Sequence, residues 1–368
     1  MKKVTLSAVA IGSALLACMA FTFTAVAQSS GPNKVVKTAK VGGEGGFDYI
    51  YADSDGRKLY IPRSGQQNAR ITVFNLDTLA PLGEVPNINA HGVATDTKSG
   101  HGFASSKPVA MFDTKTLALI KTIPVEGNPD GILGDPFNQR IYIWSHSAPN
   151  ATVINAVDGS IVGTIDVGGA PEQAATDEKG HIYVDVEDKD NIAVIDAKTM
   201  TVTGHYDLAG KGGAPGGLAL DAKNHILFAA CHDPAVMVIL NANDGKIITT
   251  LPIEAGTDGA EFNPNTMEAY SSQGNGTVTV IKENSPTSFA VEQTVQTMPG
   301  ARTMTVDTKA NHVLVMSFEY GPTPPPSATP APPPAGASGG RGFGGRGRGP
   351  ARGPQLPDSF TIVEVGTK

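Results

Sequence analysis

Cysteine is nearly absent, with two in 368 residues, which excludes a disulfide-stapled scaffold. Cys18 falls inside an apolar N-terminal stretch, and loss of that stretch would leave Cys231 without a partner. Stability must then come from packing rather than cross-links, even in an oxidising compartment. Cys231 reads as a buried thiol, with a reactive thiol as the alternative. Tryptophan occurs once, at Trp144, and aromatics make up only 6% of the chain, so the core must be largely aliphatic. After Phe23 no apolar run approaches the length of a membrane span. Cys-x-x-Cys-His, His-Glu-x-x-His, Gly-x-Ser-x-Gly and Gly-x-x-x-x-Gly-Lys are all missing. Covalent haem, zincin proteolysis, α/β-hydrolase chemistry and P-loop nucleotide binding each lose their usual signature.

Basic charge is also scarce. The formal charge is −7, falling to −9 without Lys2 and Lys3 and to −13 without the four arginines of 321–357. A body that acidic repels phosphate backbones, so no nucleic-acid partner is expected for the folded part.

Lys2 and Lys3, the apolar stretch from Val4 to Phe23 and Ala25-Val26-Ala27 have the anatomy of a secretory leader. Residues 1–27 are read as a signal peptide, 28–33 as a short tail, and the protein as periplasmic or secreted. Leu15-Leu16-Ala17-Cys18 offers a lipoprotein signal as the alternative.

What the chain has in abundance is repetition. Asp53, Asp96, Asp135, Asp177, Asp221, Asn263 and Asp307 recur at spacings of 43, 39, 42, 44, 42 and 44 residues. Six or seven positions after each comes a strand-centre residue: Tyr60, Phe103, Tyr142, Tyr183, Phe228, Tyr270 and Leu314. A period in the low forties is that of a four-stranded propeller blade. The expectation is an all-β, seven-bladed β-propeller of antiparallel blades occupying 34–368.

Outer strands alternate and are rich in β-branched residues, as in Ile161-Val162-Gly163-Thr164-Ile165-Asp166-Val167. Val35-Val36-Lys37-Thr38-Ala39-Lys40-Val41 repeats that pattern at the start of the chain. The final strand, Phe360 to Val365, matches third strands and leaves three residues after it, too few for a fourth. Lys34–Val41 is therefore expected to complete the last blade. Residues 321–357, rich in Pro, Gly and Arg, interrupt that blade between its second and third strands and read as a disordered insertion. Lengthening a loop from about 6 to about 37 residues costs only about 1.5 kcal/mol, so the blade tolerates it.

Segments such as Ile141-Tyr142-Ile143, Ile182-Tyr183-Val184 and Asn191-Ile192-Ala193-Val194-Ile195-Asp196, with Gly-Pro turns before inner strands, resemble the YVTN-repeat (YncE-like) secreted seven-bladed propellers. The likeness covers about residues 34–320 and 358–366. It implies a fold, whereas propellers host many functions.

Counting in register locates candidate sites. Five residues before each anchor stand Asp48, His91, Asp130, Glu172, Gly216, Asp258 and Arg302, six of the seven polar or charged. They should ring the channel mouth and hold a small ligand, a cation or a protein segment, unless the ring is merely solvent-lined and the protein a structural or cell-surface interaction protein. Four residues after the second-strand aromatic stand His146, Glu187 and His232 in consecutive blades. With Asp130 or Glu172 they form a candidate divalent-metal set with a carboxylate left as base, the chemistry of a metal-dependent hydrolase or lyase. His101, His181, His225 and His312 precede second strands on the opposite face, and His205 lies in an outer strand. Trp144 is read as packing between blades, and the protein as a monomer.

Overall fold

The computed structural model describes residues 31–323 and 353–367. Sequence readings that fall on 1–30 or 324–352, including the leader, lie outside the described residues. Among those described, no helix is long and apolar enough to cross a membrane. The strands form seven four-stranded antiparallel sheets. The third blade is representative, with Pro129–Asp135 innermost, then Arg140–Ser145, Ala151–Asn155 and Ile161–Ile165 outermost.

Why these sheets form a ring follows from the alternation of their second strands. Ile141 and Ile143 pack against the second blade with Phe103 and Met111. Tyr142 and Trp144 face the other way, into Ile182, Val184 and Val186 of the fourth blade. A sheet with two apolar faces needs a neighbour on each side. Seven such hydrophobic clusters exist, one at each junction of successive blades. The seventh junction joins Ile50, Leu59 and Phe74 to Leu314, Phe318 and Phe360, and so closes the circle. Cys231 is a free, fully buried thiol in one of these clusters, and burial raises its pKa well above the ordinary value.

The recurring Asp/Asn has a local cause. All seven anchors are buried at the end of an inner strand. Each accepts a backbone N–H two or three residues on, fixing the turn into the second strand. The donors are Gly56, Ser99, Phe137, Lys179, Lys223, Asn265 and Lys309, at 2.7–3.3 Å. These turns lie on the face opposite the mouth.

The last blade consists of Met304–Asp307, His312–Ser317 and Thr361–Gly366, with Lys34–Lys40 as its outer strand. The pairing runs antiparallel from Lys34 opposite Gly366 to Lys40 opposite Thr361, with one bulge between Val35 and Lys37. The base of the interrupting segment is itself tied together. Gly321 N–H donates to the Pro354 carbonyl at 2.8 Å and Leu356 N–H to the Glu319 carbonyl at 2.9 Å.

A side-chain clasp reinforces closure. Arg57 of the first blade donates through Nη1 and Nη2 to the two carboxylate oxygens of Asp307 in the last, each at 2.7 Å. Burial would raise the Asp307 carboxyl, but the hydrogen bonds and charge of Arg57 outweigh it and hold the pKa below its ordinary value. Arg57→Ala leaves a buried carboxylate unpaired and should cost roughly 2–3 kcal/mol, discounted for partial exposure of the pair. Because the folded pKa is depressed, that contribution is present above the unfolded Asp pKa of about 4. It is lost as pH falls through the folded value. The gap in urea stability between wild type and variant should therefore be full at pH 7 and shrink below about pH 4. A gap that stays constant down to pH 2 would dismiss the clasp.

Candidate functional site: the acidic channel mouth

Inner strands start at the mouth and second strands return to it, so each blade presents two loop positions there. In the third blade Pro129 pairs with Ser145, which sets Asp130 beside His146. Gly131 allows the next inner strand to come close. A Cβ at Gly131 would stand 2.9 Å from the Glu172 carbonyl oxygen.

Four blades then contribute to one continuous chain of donors and acceptors. His91 Nδ1 lies 3.3 Å from Asp48 Oδ2 and 3.1 Å from Asp130 Oδ1. His146 Nε2 lies 3.3 Å from Asp130 Oδ2 and 3.1 Å from Glu172 Oε1. Tyr49, from the first blade, reaches across and donates its hydroxyl to Glu172 Oε2 at 2.7 Å. Asp130 is the hub, with one oxygen turned to each imidazole. Asp48, His91 and Asp130 form one group whose potential ligand atoms all lie within 4.8 Å of one another. Asp130, His146 and Glu172 form a second, by the same measure.

The electrostatics follow from crowding. Burial, then the Asp48 charge, push Asp130 up to about 6. The hydrogen bond to Glu172 drives His146 up to about 9 against the opposing pull of burial. His91 is raised by Asp48, again against burial. Tyr49 is held far above its ordinary range by burial and then by Glu172, so its hydroxyl remains a donor. His146 Nε2 thus stands between two carboxylates at ion-pair distance, bonded most strongly to Glu172.

On the other side of the mouth, Arg302 Nη1 pairs with Asp258 Oδ2 at 2.7 Å. Gly216 leaves a gap in the ring, and His232 folds over it, with Nε2 2.7 Å from where a Cβ would stand. The structure thus unites Asp48, His91, Asp130 and Glu172 with His146. Glu187 and His232 belong to neither group of potential ligands. His232 lies over its own blade because position 216 has no side chain, and burial lowers its pKa. Glu187 is drawn into a short 3-10 turn, Glu187–Lys189, and is buried. Three of the other histidines serve turns and backbone. His101 Nδ1 meets the Ala156 carbonyl at 2.9 Å, His181 Nδ1 the Asp177 carboxylate at 2.8 Å, and His205 Nε2 the Val167 carbonyl at 3.2 Å.

Two residues escaped sequence counting. Tyr49 joins the site from across the channel. Asp185 sits fully buried near Glu172 and Glu187, both oxygens unpartnered among the described residues. Burial, then those two acids, hold it well above the ordinary carboxylate range. The alternation of strand His181–Val186 signals that Asp185 shares a buried face with Tyr183.

No protein-family model matches the chain. No curated protein matches it. Among solved structures, a chain of a structure described as the crystal structure of the mitotic checkpoint complex is similar, with a TM-score of 0.63 at 8% identity. The match covers 86% of this chain and 95% of that one. The likeness is one of fold alone, and a propeller scaffold is compatible with binding roles in general.

Proposed function

We propose that this is an exported, monomeric propeller of the YVTN-repeat kind that binds a divalent transition-metal ion at its channel mouth. The ion is held by His146, Asp130 and Glu172, and a second is admitted by His91, Asp130 and Asp48. One observation carries this reading: Asp130, His146 and Glu172 present potential ligand atoms all within 4.8 Å of one another, and Asp48, His91 and Asp130 do the same beside them. Ligands about 2.0–2.1 Å from a tetrahedral ion stand roughly 3.3 Å apart, so the 3.1 and 3.3 Å separations at His146 are those an ion between the groups would set. Imidazole nitrogens mixed with carboxylates favour zinc, nickel, cobalt or manganese over calcium. The other mouth residues, Asp258 and Arg302, supply charges of both signs for a small molecule or protein segment bound beside the metal.

A metal-dependent hydrolase or lyase is the second reading. The half-exposed His91 favours it, because a site held by few protein ligands and open to solvent leaves positions for water and substrate.

Cobalt titration of chelator-stripped protein tests the metal. The expectation is a saturable, stoichiometric visible band of four-coordinate cobalt, displaced by zinc and abolished by His146→Ala. Absence of saturation, or an unchanged band in His146→Ala, would leave only a solvated ring of ion pairs.

A further inference from the structure

Below the mouth lies a cavity of about 290 Å3, many times the ~30 Å3 of one water in the liquid. Its wall repeats with the blades. The residue two before each anchor lines it: Ala94, Leu133, Ala175 and Ala219 in four blades, Tyr51 and Thr305 in two, and Glu261 in the sixth. Glu261 is therefore a carboxylate placed where most blades present an aliphatic side chain. The other acid on the wall, Asp258, is already paired with Arg302 at 2.7 Å.

Glu261 has no such countercharge. Burial alone pushes its carboxyl up to about 8. A second feature points to a missing partner. Thr303, from the adjacent blade, lines the same cavity, is only 3% exposed, and its hydroxyl has no hydrogen-bond partner among the described residues. Buried polar groups left unmatched are costly, and a ligand that satisfies them recovers that cost.

We propose that this cavity is a second binding site, for a small organic monocation of the alkylammonium class. The ammonium head would sit against Glu261 with the Thr303 hydroxyl beside it, and the aliphatic tail against Ala94, Leu133 and Ala175. A bare metal ion fits poorly, because one carboxylate and a few hydroxyls fall short of the six or more oxygens a hard cation takes. A wall that is aliphatic on one side, with a single acid lacking a countercharge, matches a ligand with an apolar body and one positive end. The route in passes the acids of the mouth, which attract a cation. The site uses none of the residues assigned to the metal, and the two proposals stand or fall separately.

Calorimetric titration of the purified protein with butylammonium chloride at about pH 9, where Glu261 is ionised and the amine still charged, in excess chelator so that no metal occupies the mouth, tests this. Saturable one-to-one binding is expected. Affinity should fall by about tenfold or more in Glu261→Gln, the worth of a contact to a charged group. It should fall by several-fold in Thr303→Val, which conserves side-chain shape. Neither 1-butanol nor potassium chloride should saturate the site. Failure of butylammonium to saturate would overturn the proposal. So would wild-type affinity in both variants, which would put the amine at the acidic mouth, or potassium binding as tightly as the amine.

Discussion

Removal of residues 34–41 should convert a monodisperse protein into one that aggregates and unfolds at much lower urea. The deleted strand pairs along six registered positions with Thr361–Gly366, every residue of which is buried. At about 1 kcal/mol for each backbone hydrogen bond lost, the deletion costs roughly 5 kcal/mol before any loss of packing by Ala39 and Val41. That is comparable to the ~5–15 kcal/mol that separates folded from unfolded domains. The exposed Thr361–Gly366 would also become an unguarded edge carrying unpaired N–H and C=O groups, a template for other chains. Size-exclusion chromatography and urea titration read both effects. A synthetic peptide of residues 34–41 added in trans should restore part of the stability by strand addition. A deletion protein that stays monomeric with an unchanged midpoint would show that closure rests on the side-chain clusters alone.

The second large effect is expected at Asp130. Asp130→Asn keeps size and shape while removing the charge shared by both groups of ligands. Metal affinity should drop by about 100-fold or more at each, since even outer-shell changes cost 10–100-fold. Asp48→Asn, by contrast, should weaken only the group containing His91. Competition against a chelating dye gives both affinities. An Asp130→Asn protein within a few-fold of wild type would remove Asp130 as the hub.

The architecture was legible because each anchor does the same local work. A buried Asp or Asn that caps the turn after an inner strand must recur once per blade, so its spacing reports the blade count directly. Closure was legible for a similar reason, since Val35–Val41 repeats the outer-strand pattern that the last blade lacks. The mouth was readable where it depends on register: Asp48, His91, Asp130 and Glu172 fall together because equal positions on equal strands must.

The set around His146 was readable in part. Counting placed Asp130 or Glu172 with it, as the structure does, but also added Glu187 and His232, whose positions depend on loop conformation and on a missing side chain at Gly216. Tyr49 was invisible for a different reason. Its contact with Glu172 spans 123 residues of sequence and crosses the channel, and no periodicity encodes that. Glu261 did carry a signal, an acid interrupting a mostly aliphatic series two residues before the anchors. Comparing that column of the repeat would have exposed it.

The seam between Lys34–Lys40 and Thr361–Gly366 also constrains the order of assembly. Six blades can be completed from consecutive residues as the polypeptide grows. The seventh must wait for the two most distant parts of the described chain to meet, the slowest kind of contact to form. Until then the first-made strand has nothing to pair with. A truncation that stops short of Thr361 strands it permanently, so a translation product missing its final residues would be marked by a loose beginning as well as a ragged end.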